Sequence, residues 1–485
     1  MSTSFDTSRI RVLLINFGLL SGAELASKLF TFIAFAFLAR LFGPATYGQL
    51  EFVIQTVFLL SLSVDFGFGV YGAREVSKDP QSVHSITQSV VYYRFMFAIL
   101  SLLVLVAFSF AAGLSGDFQA LLWLFGISLL PVPFLLQWVF QAHDWMHHVG
   151  ITQLLRYGTF GTVVLLCVKG PSHLWYVAIA EIAGITVAAA YTMAIYRVRI
   201  GRLPFFSWRR PGRHILLSSL PIAISQLLWA ARYIFVIVLL GLVTTPGSVG
   251  MFAAALRIVV ALHMFNNMYF YNLMPSASRS IREPSANLQD MLHAMMRLSS
   301  WCCLPLAIAA SILARPLISL IYGPSFDDAG RCFQIILWML PLSLLSTHYR
   351  VTLIAYGRQT LEMLANGIAA IVHLALILTF FSQWGLIGVS VAMLTGEFVG
   401  LVLVFLFVHR HVSYITTWTA LMRPALAGMA VAACLMTVST QSTWVRLILV
   451  FLIMASALLL LERKALSGFT AFLHRLCMQR HSTAP

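Results

Sequence analysis

SVVYYRFMFAILSLLVLVAFSFAAG, residues 89–113, contains one charged side chain, Arg94, in an otherwise continuous run. A bilayer core about 30 Å thick is crossed by roughly 20 apolar residues wound as a helix. The run is long enough to cross. It is also too continuous for a membrane barrel, whose strands alternate polar and apolar over about ten residues. Comparable runs lie on both sides of it. Before it come 13–39 and 47–72. After it come 119–142, 150–168, 174–196, 215–243, 249–274, 291–314, 331–355, 361–381, 385–408, 419–438 and 443–461. The pattern predicts an all-α polytopic membrane protein of about fourteen spans. The last two runs are the weakest, which leaves twelve or thirteen open.

Composition agrees. The 485 residues are 60% hydrophobic and 10% charged, with a mean hydropathy of +0.88. A soluble chain carries about 25% charged residues, so this one has too few for a surface that meets water everywhere. The formal charge of +15 fits basic loops on a cytoplasmic membrane face better than nucleic-acid binding. Six cysteines are scattered without a CxxC, which predicts neither a disulfide framework nor a zinc site. His143, His147 and His148 are expected to be solvated or interfacial, not metal ligands. No cofactor is implied. Arg9 and Arg11 precede an apolar run as in a signal peptide, but Glu24 and Lys28 interrupt that run. It reads as an uncleaved first span.

Orientation follows from lysine and arginine. With the N-terminus inside, twenty of them fall in inner segments and five in outer ones, which predicts that both termini are cytoplasmic. The most basic segment, 197–213, holds six arginines and no acid. It separates the first six spans from the rest. A shift of 202 residues lays 22–60 on 224–262 without a gap, placing Pro44 on Pro246 and Gly48 on Gly250. This suggests an internal duplication, the usual build of a transporter. Pro131, Pro133, Pro221, Pro305 and Pro341 fall inside spans and should bend them.

The other six basic residues, Lys28, Arg94, Arg156, Arg232, Arg257 and Arg297, fall within spans. Facing lipid, six such charges would cost on the order of 15–20 kcal/mol. Arg94 and Arg156, near cytoplasmic ends, are expected to snorkel. Lys28 lies four residues from Glu24 and can pair with it. Arg232, Arg257 and Arg297 lie deeper, where a structural ion pair or a hydrated cavity would explain them. An arginine-lined cavity favours an anion, and the planar guanidinium suits phosphate. Lys28, Arg232, Arg257 and Arg297 are therefore the candidate substrate-binding residues. Among the in-span acids Glu24, Glu51, Asp65, Glu181 and Glu397, three are candidates to carry a coupling proton or sodium ion: Asp65, Glu397 and Glu24. The plainer reading makes Asp65 and Glu397 carboxylates held by an arginine on the next helix.

Several motifs then resemble one family. Ala39-Arg40-Leu41-Phe42-Gly43-Pro44-Ala45-Thr46-Tyr47-Gly48 is similar to the turn after the first span of polysaccharide transporters, the repeat-unit flippases of the MOP superfamily, which also contains the MATE exporters. Asp65-Phe66-Gly67 and Gly72-Ala73-Arg74-Glu75 resemble the end of that family's second span. Trp138-Val139-Phe140-Gln141 with Met146 resembles another of its stretches, with Ala142 where glycine is usual. Pro221, Gly250, and Ala253 to Arg257 resemble its second half, with Phe252 in place of tyrosine. Ile321-Tyr322-Gly323 and Gly385, Gly388 and Glu397 complete the series.

The resemblance implies two six-helix bundles, 1–200 and 214–411, joined by a basic linker at 201–213 and followed by two further helices and a basic tail over 412–485. It implies a non-enzymatic flippase of the bacterial inner membrane. The substrate would be undecaprenyl-pyrophosphate-linked oligosaccharide for O-antigen or exopolysaccharide synthesis, moved from the cytoplasmic to the periplasmic leaflet by alternating access. Membrane lipids, a polysaccharide polymerase and chain-length proteins would be its partners. A multidrug antiporter of the same superfamily is the first alternative, but cationic drugs favour acidic, aromatic cavities. A membrane enzyme or a scaffold of polysaccharide assembly is the second. The enzyme is disfavoured because the longest loop carries no acid, and Asp327 and Asp328 sit on a short turn where a helix start explains them.

Overall fold

The computed structural model describes residues 7–202, 212–263, 266, 269–270, 273–274, 288–412, 418–437 and 442–461. Every regular element among them is helical. Ten helices are long and apolar enough to cross a membrane. Two of these, Leu25–Lys78 and Gln359–His411, are 54 and 53 residues long. Straight, each would reach roughly 80 Å, far beyond a bilayer core. Each instead bends at a glycine in the left-handed region, Gly43 (φ 69°) and Gly385 (φ 58°). Each thus supplies two of the expected spans. The shorter apolar helices Pro246–Leu262 and Trp444–Leu459 supply the other two, so all fourteen runs find a helix.

The chain divides into two compact units, Met1–Ala254 and Ala255–Pro485. The first contains α1 (Thr7–Asp65), α2 (Phe68–Lys78), α3 (Val83–Ala111), α4 (Gly116–Gly126), α5 (Gln137–Ala142), α6 (Met146–Cys167), α7 (Leu174–Arg199), α8 (Arg213–Tyr233), α9 (Phe235–Val243) and most of α10 (Pro246–Leu262). Helix α1 packs along α3, α6 and α9, and α6 along α7. The division falls inside α10, beyond the 201–213 segment expected as a linker. The reason is that α8 and α9 pack against α1. The second unit contains α11 (Leu288–Ile312), α12 (Ala314–Tyr322), α13 (Ala329–Ile336), α14 (Met339–Ala355), α15 (Gln359–His411), α16 (Trp418–Thr437) and α17 (Thr443–Leu461). There α11 packs on α16, α14 on α15, and α16 on α17.

Burial is arranged for lipid. Leu103, Phe110, Ile371 and Phe451 are each more than 60% exposed, whereas Ala98, Ala180, Ala188 and Ala369 are fully buried. Large apolar side chains outside are stable only where the solvent is itself apolar. Small residues inside let helix backbones approach closely, which is how membrane helices gain packing energy.

The two turns matched by the 202-residue shift meet each other. A Cβ on Gly48 would lie 1.8 Å from the Pro246 carbonyl oxygen, and one on Gly250 would lie 2.0 Å from the Pro44 carbonyl oxygen. The contact is reciprocal, as between copies related by a two-fold axis. It supports the duplication read from the sequence. Phe52, 2% exposed, continues the seam, with its ring lying where a side chain on Gly241 would go.

Two spans are interrupted outright, where the sequence had predicted no more than bends at proline. Helix α1 ends at Asp65. Phe66 (φ 44°) and Gly67 (φ 73°) then adopt left-handed backbone before α2 begins. A left-handed phenylalanine costs on the order of 1–3 kcal/mol and needs support from its surroundings. The span over 119–142 runs through α4, two short 3-10 turns at Ile127–Leu129 and Val132–Phe134, and then α5. Pro131 and Pro133 remove two helical N–H donors and clash with the preceding turn, so the helix does not continue.

Candidate substrate and coupling sites

Both interruptions in the first unit free backbone carbonyls, which must find donors in a membrane interior. Arg94 supplies them. It is 5% exposed; one of its guanidinium nitrogens donates to the Leu135 carbonyl at 3.1 Å and another to the Asp65 carboxylate. Thr192 Oγ1 donates to the Phe134 carbonyl at 2.8 Å and accepts from the Leu136 N–H at 3.3 Å. The Gln226 amide reaches the second Asp65 oxygen at 3.5 Å. Arg94 therefore ties one broken span to the other.

This corrects the expectation that Arg94 snorkels: the carboxylate and the freed carbonyl hold it inside. Asp65 takes the plainer of its two readings, a carboxylate held by an arginine on the neighbouring helix. Glycine makes room for this. A Cβ on Gly69 would stand 3.0 Å from the Arg94 guanidinium, and one on Gly72 would lie 2.6 Å from the Trp138 ring. Arg156 also does not extend freely to the interface. It donates to Glu181 at 3.3 Å.

The candidate cations divide between the units. In the first, Lys28 is half-buried on α1. Arg232 is buried in the last turn of α8, its guanidinium carbon 5.7 Å from the centre of the Tyr233 ring. In the second, Arg257 on α10 and Arg297 on α11 are half-buried. Glu24 belongs to α1, but its side chain lies outside the described residues, so its pairing with Lys28 does too. Glu51 is buried and accepts from Gln55 at 3.1 Å. Glu397 is buried on α15, and the preceding Gly396 lies against the imidazole of His373, itself fully buried.

Sequence reasoning missed the histidines. His348 and His373 are both 0% exposed and lie inside apolar runs, yet only lysine, arginine and the acids were counted as in-span charges. Histidine is also ionisable, and a buried one inside a span is a functional candidate, so the signal was present. Among the described residues no group of three histidine, cysteine or acidic side chains is arranged to hold a metal ion.

This helical architecture has known relatives. A family model described as polysaccharide biosynthesis protein matches residues 13–281. The chain belongs to this family. A second model, described as lipid II flippase MurJ, matches residues 152–455. An Escherichia coli (strain K12) protein named "Putative O-antigen transporter" is 22% identical over 404 residues, covering 80% of this chain and 94% of its own. Among solved structures, lipid II flippase MurJ in an inward closed conformation superposes with a TM-score of 0.76 at 14% identity, over 92% of this chain and 99% of that one. An inward-facing multidrug resistance MATE transporter of the MOP superfamily superposes with a TM-score of 0.61 at 12% identity, over 85% and 96%. These likenesses establish the fold, and the protein is a multi-pass membrane protein.

Proposed function

We propose that the chain is an inner-membrane flippase. It would move polyprenyl-pyrophosphate-linked oligosaccharide, of the undecaprenyl type, from the cytoplasmic to the periplasmic leaflet by alternating access. Both termini are cytoplasmic in this reading. The helices of 412–485 serve as an accessory pair. A polysaccharide polymerase and chain-length proteins receive the product. The protein binds, reorients and releases, and makes or breaks no covalent bond.

The observation that carries the reading is Arg232, a guanidinium 8% exposed inside a membrane-spanning unit. Arginine stays protonated in any protein environment and presents a fork that matches two phosphate oxygens. Lys28 in the same unit, and Arg257 and Arg297 in the other, are candidates for the same role, while the polyprenyl chain would remain in lipid. The match to an O-antigen transporter over most of both chains supports the sugar-lipid class. Glu397 is the foremost carboxylate for ion coupling because it is buried. Asp65 would exchange its ion only by releasing Arg94, and Glu24 completes the set.

Binding tests this directly. A short-chain polyprenyl pyrophosphate should bind the purified protein at least tenfold more tightly than the matching polyprenol. Arg232→Ala, Arg257→Ala and Arg297→Ala should each weaken the pyrophosphate by about 10–100-fold, the loss of one charge-assisted hydrogen bond. They should leave polyprenol unchanged. Equal affinity for the two lipids in the wild type would remove the anion site.

A further inference from the structure

The described part of the second unit contains a file of uncharged polar side chains inside an apolar core. Asn266, Tyr269, Ser343 and His348 are each more than 90% buried. Tyr269 belongs to one buried apolar cluster with Leu273, Leu292, Leu344, Val351, Leu353 and Val404. The four make two pairs. The Asn266 amide donates to Ser343 Oγ, and His348 Nδ1 shares a hydrogen with the Tyr269 hydroxyl at 2.7 Å. Asn266 and Tyr269 are three positions apart on one segment, and Ser343 and His348 five apart on α14, so both pairs lie along one seam between the same two stretches of chain.

His348 is the unusual member. Its Nε2 is inaccessible and has no hydrogen-bond partner among the described residues. A tie between two helices needs Nδ1 alone, and an apolar or amide side chain of similar volume would avoid burying an unmatched ring nitrogen. An ionisable side chain at membrane depth is by default a functional one, and histidine chains are a recognised way to move protons there. His293 on α11 lies within electrostatic reach of His348 and is half-buried. Besides Tyr269 and His293, Tyr349 faces the ring from α14 itself with ring centres 5.7 Å apart, and His409 of α15 packs beyond Tyr349 at 6.2 Å. No acid is among these neighbours in the described residues.

We infer that His348 and Tyr269 form a proton-binding site, and that its ligand is the coupling proton of the transport cycle. The proton balance is simple. If Nδ1–H donates to the Tyr269 oxygen, the incoming proton takes the lone pair of Nε2. If the Tyr269 O–H donates to Nδ1, the proton enters at Nδ1 and the hydroxyl turns from donor to acceptor. Either way the ring gains one positive charge with two N–H donors. That charge is poorly tolerated in an apolar core, so uptake favours a conformation in which Nε2 reaches water or an acceptor. Release restores the packed state. A sodium ion does not fit, because a neutral imidazole and a phenol offer no anionic oxygen.

The role in transport rests on the flippase reading, whereas proton binding does not. Protein labelled with 15N-histidine in lipid nanodiscs is titrated over about pH 4 to 8, the range in which imidazoles change charge. Of the fourteen histidines, the resonance missing in His348→Gln is that of His348. It should titrate in the wild type and move its midpoint in Tyr269→Phe, which keeps the ring and the packing. In proteoliposomes His348→Gln should lose at least tenfold of the stimulation by a pH gradient. A His348 resonance that stays neutral throughout, with gradient stimulation unchanged in the variant, would overturn the site. A wild type that titrates at His348 but moves no lipid would sink the flippase reading and leave the proton site standing.

Discussion

Gly250→Leu is expected to abolish the folded protein, and Gly48→Leu to do the same. At both positions the first added carbon already lands on backbone: 2.0 Å from the Pro44 carbonyl oxygen for Gly250, and 1.8 Å from the Pro246 carbonyl oxygen for Gly48. No real Cβ sits that close, and backbone cannot turn aside as a flexible side chain can. The helices must part, and the seam that buries Leu38, Tyr47, Phe52 and Leu240 opens with them. Overpacking an interior by a methylene or two costs about 1–3 kcal/mol when neighbours can adjust. Here they cannot, so even alanine should reach the upper end of that range. Gly247 lies in the same turn but has nothing within 4 Å of its Cβ position, so Gly247→Ala is the control. Thermal unfolding in detergent, followed by size-exclusion fluorescence, should show Gly247→Ala near wild type, both alanine variants strongly destabilised, and both leucine variants absent from the monodisperse peak.

The second large effect belongs to Arg94. Arg94→Ala removes the donor to the Leu135 carbonyl and leaves the Asp65 carboxylate without its cation. Breaking one side of a buried ion pair costs about 3–5 kcal/mol. The Asp65 side chain is 27% exposed, and that partial hydration brings the expectation to the lower end, about 3 kcal/mol. Asp65→Asn keeps an acceptor for the guanidinium and should cost less. Because the two residues share one interaction, their alanine substitutions should be non-additive, with a coupling of about 1–3 kcal/mol in a double-mutant cycle. Additive losses would mean that Arg94 serves the Leu135 carbonyl and nothing more.

The architecture was legible because lipid imposes one requirement over and over. Any run such as 89–113 must be a helix, since only a helix satisfies its own backbone in hydrocarbon. The 202-residue shift was legible for a related reason. Pro44 and Gly48, and Pro246 and Gly250, are residue types that a close turn demands and that random apolar sequence does not supply. The breaks were less legible. Pro131 and Pro133 announced a disturbance, but whether two prolines bend a helix or end it depends on donors elsewhere, here Arg94 and Thr192. At Asp65-Phe66-Gly67 the glycine was visible. The left-handed phenylalanine was not, because its backbone is set by what packs around it and not by its own preference.

The candidate sites divide in the same way. That in-span charges need partners was legible. Which partner each takes was not, because Asp65 and Arg94 are 29 residues apart and meet only once both helix ends are placed. The buried histidines carried a readable signal, since His348 and His373 stand in apolar runs, but a neutral imidazole does not alter a charge count.

Reconstitution into proteoliposomes tests the central claim most directly. Purified protein is given a fluorescent polyprenyl-pyrophosphate-linked oligosaccharide, with and without a pH or sodium gradient, beside Arg257→Ala. The account predicts gradient-stimulated appearance of the sugar to an external lectin in the wild type and its loss in the variant. Sugar that never crosses, with an organic cation expelled in its place, would contradict it.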